Sequence, residues 1–135
     1  MIVLDEQLLG RNLEEEIGRW YSGDVCFITD LRPNTVIKDD VIPHLLRQQN
    51  QPTFVTINER DFWRRVEISD HFCVVCFSLP DSRVVEISGL LRSVFHHTLF
   101  STKRLRMGKV ILITGQGLSY YTRADRQIRF IGFPW

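Results

Sequence analysis

Cysteine is scarce in this chain, with three among 135 residues. So low and odd a count argues for a reducing compartment and hence a cytoplasmic location. Long apolar runs are also missing. Stretches such as Val110-Ile111-Leu112-Ile113 are far too short to cross a bilayer, so no membrane association is expected. The opening residues have no basic stretch followed by an apolar one, so no secretory leader is expected. No linker, internal repeat or low-complexity segment interrupts the chain, and its length suits a single domain over residues 1–135. A large excess of one charge is absent too. The 17 Lys and Arg nearly cancel the 16 Asp and Glu, leaving a net charge of +1, which excludes a uniformly basic nucleic-acid binder.

What is present is a composition that folds. Hydrophobic residues make up 44% and charged residues 24%, enough apolar surface to exclude disorder for most of the chain. The balanced charge conceals a division. Residues 1–100 carry 10 cations and 15 anions, and residues 101–135 carry 7 cations and 1 anion. Arginine supplies 14 of the 17 cations, which favours bidentate phosphate contacts over diffuse attraction.

Short apolar runs alternate with helical patterns. Residues 2–4, 25–28, 53–56 and 72–77 read as strands buried on both faces. Between them, Leu9, Leu13, Ile17 and Trp20 predict an amphipathic helix over about 7–20. Asp39 is a candidate N-cap for a helix carrying Val41, Ile42, Leu45 and Leu46, with Pro43 tolerated in its first turn. Residues 58–65 predict a loop entering a short helical turn. Val84, Ile87, Leu91, Val94 and Phe95 mark the core face of a longer helix. The last third has no such helical spacing. There, residues 110–114, 118–122 and 127–131 predict an antiparallel meander. The expected architecture is a three-layer α/β/α domain with a mainly parallel sheet and antiparallel strands at one edge.

In such sheets ligands sit beyond the C-terminal strand ends, where the strand order reverses. Three of these ends deliver carboxylates. Asp5-Glu6 follows the first strand, the loop after the second reaches Asp39-Asp40, and the third leads into Thr56-Ile57-Asn58-Glu59-Arg60-Asp61. Two carboxylates ~4 Å apart repel by about 4 kcal/mol at an effective dielectric of ~20. A cation or a shared proton relieves that repulsion. Hard oxygen donors suit Mg²⁺ or Mn²⁺, and a divalent ion so held activates water and stabilises in-line displacement at phosphorus. The pattern predicts a metal-dependent phosphodiesterase site, although each of these acids could equally be a helix cap or helix start.

The same residues resemble a known family. Ile2-Val3-Leu4-Asp5-Glu6-Gln7-Leu8 resembles the opening motif of short stand-alone PIN-like proteins related to VapC-type toxins. Asp39-Asp40-Val41-Ile42 resembles their second motif, and residues 54–63, with Thr56, Asn58 and Asp61, resemble their third. Residues 108–121 resemble their closing hairpin. The resemblance implies a PIN-like α/β/α sandwich and metal-dependent cleavage of RNA by an endoribonuclease, the toxin of a toxin–antitoxin pair with a cognate antitoxin protein as partner. By motif it makes Asp5, Asp39 and Asp61 ligands of Mg²⁺ or Mn²⁺, with Glu6 and Asp40 as neighbouring acids and Thr56 and Asn58 as positioning groups. The sequence departs from the pattern at Gln7, where the family has Asn, and at Asn58, where many relatives have Asp. Asp81 is the one candidate for a fourth acid. These departures keep an alternative open: a catalytically degenerate PIN-like module that binds a protein or nucleic acid without cleaving. A receiver-like phosphoacceptor is a weaker alternative, since no Lys late in the chain is placed to serve it. A homodimer is left open.

Other patterns carry less. Cys73 and Cys76 match C-x-x-C, but positions i and i+3 of a strand point to opposite faces and cannot share a zinc. His96 and His97 diverge on a helix, and no Ser/His/Asp elbow occurs. Gly115-Gln116-Gly117 reads as a hairpin turn. Arg60, Arg64 and Arg65 flank Asp61, while Lys103, Arg104 and Arg106, with Lys109, cluster before the meander and Arg123, Arg126 and Arg129 line its end. These basic groups are expected to form a phosphate-gripping rim around the acidic centre or to pair with the acidic helices. Trp63, Tyr120 and Tyr121 are candidates either for base stacking or for the core.

Overall fold

The computed structural model describes residues 1–133. Seven strands form one mixed sheet in the order β2-β1-β3-β4-β5-β6-β7. They are β1 (Ile2–Leu4), β2 (Val25–Phe27), β3 (Thr53–Thr56), β4 (Cys73–Phe77), β5 (Lys109–Thr114), β6 (Gly117–Thr122) and β7 (Arg129–Gly132). The first five run parallel, and β5, β6 and β7 close the sheet as an antiparallel meander. This matches the expected mixture of alternating β and α elements followed by β alone.

The parallel strands β1, β3, β4 and β5 are short and apolar because both faces are covered, whereas the edge strand β2 is only half-buried. Ile2 and Leu4 of β1, Val55 of β3, Cys73, Val75 and Phe77 of β4, and Ile111 and Ile113 of β5 point into one core. There they meet α1 (Leu13–Gly18) and α5 (Ile87–His96). Val3, Phe54, Val74, Cys76, Val110 and Leu112 point into the other, against α3 (Ile42–Arg47) and α4 (Glu59–Phe62). Period-two alternation across a pleated strand thus feeds two helical layers. The two cysteines fall in different cores, as their spacing requires. Two further single-turn helices, α2 (Ile28–Leu31) and α6 (Lys103–Arg106), complete the set. No described helix is long and apolar enough to cross a membrane.

Two elements differ from their expectation. Ile28, read as the end of the second strand, instead opens α2, which also takes the first residues of the expected loop. The helix predicted over about 7–20 is split into a 3₁₀ turn at Glu6–Leu8 and the six-residue α1. Gly10 (φ +77°) and Asn12 (φ +63°) lie in the left-handed region and break it, leaving Leu9 exposed while Leu8, Leu13 and Ile17 stay buried. The core face read for the long helix is correct: Val84 lies in a 3₁₀ lead-in (Asp81–Glu86), and all five apolar positions are buried.

Candidate functional site

The strand order reverses at β1. The chain leaves β1 for β2 on one side and returns as β3 on the other. The crevice beyond the C-terminal ends of β1 and β3 is therefore the expected ligand position. Asp5 closes β1 there. Its N–H donates to the Val55 carbonyl at 2.9 Å, which fixes the backbone, and the residue is only 5% exposed. Its carboxylate accepts a hydrogen bond from the Thr56 hydroxyl at 2.6 Å. Burial pushes the Asp5 carboxyl above its ordinary range, while the Thr56 hydroxyl and the Glu6 amide oppose that shift.

The hydrogen bonds continue from β3 into α4. The Thr56 hydroxyl oxygen accepts the Asn58 N–H at 2.9 Å. Asn58 is the N-cap of α4: its side-chain oxygen accepts the Asp61 N–H at 3.2 Å, and its amide nitrogen donates to the Asp61 carboxylate at 2.8 Å. A continuous chain thus runs from Asp5 through Thr56 and Asn58 to Asp61. The resemblance assigns all four to the site, and the fold brings them together. Asn58 holds Asp61 below the ordinary carboxylate range, helped by a hydrogen bond with Asp39 and by the charges of Arg60 and Arg65.

Asp39 comes from the loop before α3. Its expected role as N-cap is not seen, because α3 starts after Val41 with no side-chain cap. A turn over 38–41, closed by the Val41 N–H to the Lys38 carbonyl at 3.0 Å, separates Asp39 from the helix. The Asp39 carboxyl is instead hydrogen-bonded to Asp61. Partial burial, then Asp61, then the negative charges of Asp5 and Glu6 raise it above its ordinary range. The two carboxyls are thereby pushed apart, Asp39 upward and Asp61 downward, as expected of two acids that face each other.

Asp39, Asp40, Asp61 and Arg65 line a hollow of about 450 Å³. Glu67 lines it too, although no motif singles it out. Its sequence signal is the alternation of Val66, Glu67 and Ile68, which leaves Glu67 exposed between two buried neighbours. A second hollow of about 470 Å³, with Asn58, Glu59, Arg60 and Ser78 on its wall, lies on the β4 side of α4. Glu6 is exposed in the 3₁₀ turn that follows Asp5. Asp81 does not join these acids: its side chain is 92% exposed and lies 4.0 Å from Arg11.

The basic residues divide. Arg60, Arg64 and Arg65 lie on or just after α4, beside Asp61. Lys103, Arg104 and Arg106 lie elsewhere. They precede β5, whose first residue Lys109 sits at the strand-start end of the sheet, and Lys103 and Arg106 act electrostatically on the Met1 amine. The expected rim therefore does not include them. Arg106 is also 5% exposed, stacked 3.8 Å from the Phe95 ring centroid and donating to the Phe100 carbonyl at 2.9 Å, so it is a structural residue. Tyr121 is buried, with its hydroxyl donating to the Trp63 carbonyl at 2.6 Å, so it offers no free ring face for stacking; Tyr120 packs edge-on with Phe100 and, like Trp63, remains partly exposed.

The donor set is carboxylate oxygen, which fits Mg²⁺ or Mn²⁺ by chemistry. Among the described residues, however, no three His, Cys, Asp or Glu side chains converge at a distance that would hold an ion. Two of the three predicted ligands, Asp39 and Asp61, face each other, and the third, Asp5, has one oxygen engaged by Thr56. Compared with protein families, with curated proteins and with solved structures, the chain matches none. Fold and site define a mixed α/β domain with carboxylates at the strand ends of its topological switch point.

Proposed function

We propose that the chain is a PIN-like sandwich acting as a Mg²⁺- or Mn²⁺-dependent endoribonuclease. The observation that carries this reading is the hydrogen-bonded series Asp5–Thr56–Asn58–Asp61, with Asp39 joined to Asp61, at the crevice where the strand order reverses. Asp5, Asp39 and Asp61 would hold the ion, which when bound supplies Lewis-acid activation of water and neutralises charge developing at phosphorus. Thr56 orients the Asp5 carboxylate and Asn58 orients that of Asp61, so two of the three ligands are fixed before any ion arrives. Asp39 serves as a ligand in its ionised form, which a bound ion would favour. Glu6, Asp40 and Glu67 add negative potential that attracts a cation. Arg60 and Arg65, beside Asp61, supply contacts to the phosphate backbone of RNA. The toxin role, with a cognate antitoxin as partner, rests on the resemblance of the three sequence motifs to those of VapC-related proteins.

A second reading is a PIN-like module that binds nucleic acid without cleaving it. That no three acidic side chains converge among the described residues favours it. Thermal unfolding in millimolar Mg²⁺ or Mn²⁺ distinguishes the two. The nuclease reading expects a metal-dependent rise in Tm that Asp5→Asn removes. No rise with either ion favours the module.

A further inference from the structure

Arg64 and Arg126 come from distant parts of the chain, one just after α4 and the other in the β6–β7 loop. Both guanidinium carbons lie 5.0 Å from the centroid of the Tyr121 ring. The charges of Arg126 and Arg64 bear on the Tyr121 hydroxyl, and Trp63 packs against the same ring at 5.1 Å. Two like charges are thereby held within about a screening length, ~10 Å. Neither forms an ion pair with a carboxylate among the described residues, and both are exposed. Nearby, Arg123 and Arg129 do have acidic partners, Asp70 at 3.5 Å and Asp125 at 2.7 Å, so the unpaired state of Arg126 is not general to this loop. Two preorganised, unneutralised guanidinium groups leave ten N–H donors between them with no carboxylate to take them, an arrangement suited to phosphate.

Arg64 is also close to the acidic site. Arg60 and Asp61 are on α4, and Arg64 follows within one turn of chain. Arg60, Arg64 and Arg65 share one surface hollow with Trp63 and a single carboxylate, Glu59, so cations outnumber anions there. A cationic track thus leads from the carboxylate edge over Arg60 and Arg65 to Arg64 and on to Arg126, with an amphipathic indole beside it.

We propose that Arg64 and Arg126, clamped over Tyr121, form a second grip on the backbone of single-stranded RNA, one or more phosphates away from the carboxylate edge. This inference rests on the ribonuclease reading for its ligand and sets the direction in which the strand leaves the site. The test is fluorescence anisotropy of a labelled single-stranded RNA without divalent ions, titrated at several salt concentrations. The proteins are the wild type, Arg64→Gln, Arg126→Gln, the double variant and Arg104→Gln from the opposite end. Thermal unfolding verifies that each is folded. Removing one phosphate contact lowers the slope of log K against log salt by ~0.7 for single strands. The double variant should therefore lose about 1.4 in slope and roughly tenfold in affinity at low salt, with Arg104→Gln unchanged. An unchanged slope in the double variant overturns the grip, as does an equal loss in Arg104→Gln. Loss of binding to an acidic peptide with RNA binding intact overturns it in favour of an acidic protein partner. Cleavage is scored separately. A double variant that loses RNA affinity while no form cleaves leaves the grip standing and removes the nuclease. Cleavage with unaltered binding does the reverse.

Discussion

The Thr56 hydroxyl donates to the Asp5 carboxylate across 2.6 Å, tying the C-terminal ends of β3 and β1 together where the strand order reverses. It is a charge-assisted bond to a residue only 5% exposed. Thr56→Val should cost about 1–3 kcal/mol at neutral pH, measured by urea unfolding. The deficit should shrink as pH falls through the raised Asp5 range, because a protonated Asp5 no longer needs a donor. It should not vanish, because the Asn58 N–H also loses its acceptor.

Asp39 gives the opposite pH signature. Its folded-state carboxyl lies above the ordinary range, through partial burial, its contact with Asp61 and the charges of Asp5 and Glu6. A group raised on folding adds stability below its unfolded value and loses that contribution as pH rises through the folded value. Asp39→Asn should therefore unfold at a higher temperature than the wild type at neutral pH, and the difference should disappear in acid. The gain should be small because solvent screens the pair. A lower Tm for Asp39→Asn at neutral pH contradicts the repulsion described for this site.

Arg106 and Arg104 are two residues apart and should behave oppositely. Arg106 is buried on Phe95 and bonded to the Phe100 carbonyl, so Arg106→Ala should lose about 2 kcal/mol of stability. Arg104 is exposed at the end of the sheet away from Asp5, and Arg104→Ala should leave both stability and RNA affinity unchanged. Chemical denaturation and anisotropy measured on the same samples check both.

Thiol chemistry reads out the sheet itself. Cys73 and Cys76 are fully buried, and burial pushes the Cys73 thiol up to about 12 and that of Cys76 higher still. Cys26 on the edge strand β2 is partly exposed. A disulfide-exchange reagent at neutral pH should titrate at most one thiol in the native protein and three after unfolding. Fast reaction of a second native thiol contradicts the two-sided burial of β4.

Much of this was legible in the residues. Apolar runs such as Cys73-Val74-Val75-Cys76-Phe77 have no polar position, which only a sheet covered on both faces explains, and the strands fall where those runs lie. The acids at strand ends were legible for the same reason, because a parallel strand must stop at its first charged residue. What local pattern does not encode is partnership across the fold. Asp39 has the local marks of a cap, yet its carboxyl is taken by Asp61, which lies 22 positions further along the chain. Lys103, Arg104 and Arg106 read as part of one basic rim because they are close in sequence to the meander. The parallel direction of β5 carries them to the opposite end from Asp5. The left-handed Gly10 and Asn12 break a periodicity that hydrophobic spacing alone continues.

The central claim is that the carboxylates at the β1–β3 crevice cleave RNA with a divalent ion. The direct measurement is cleavage of single-stranded and structured RNA with Mg²⁺, with Mn²⁺ and with chelator, using wild type and Asp61→Ala purified in parallel. The account predicts cleavage by the wild type that needs the metal, is abolished by chelator, and falls at least a hundredfold in Asp61→Ala, about 3 kcal/mol in transition-state stabilisation. Equal cleavage by both proteins, or none by the wild type with either ion, contradicts it.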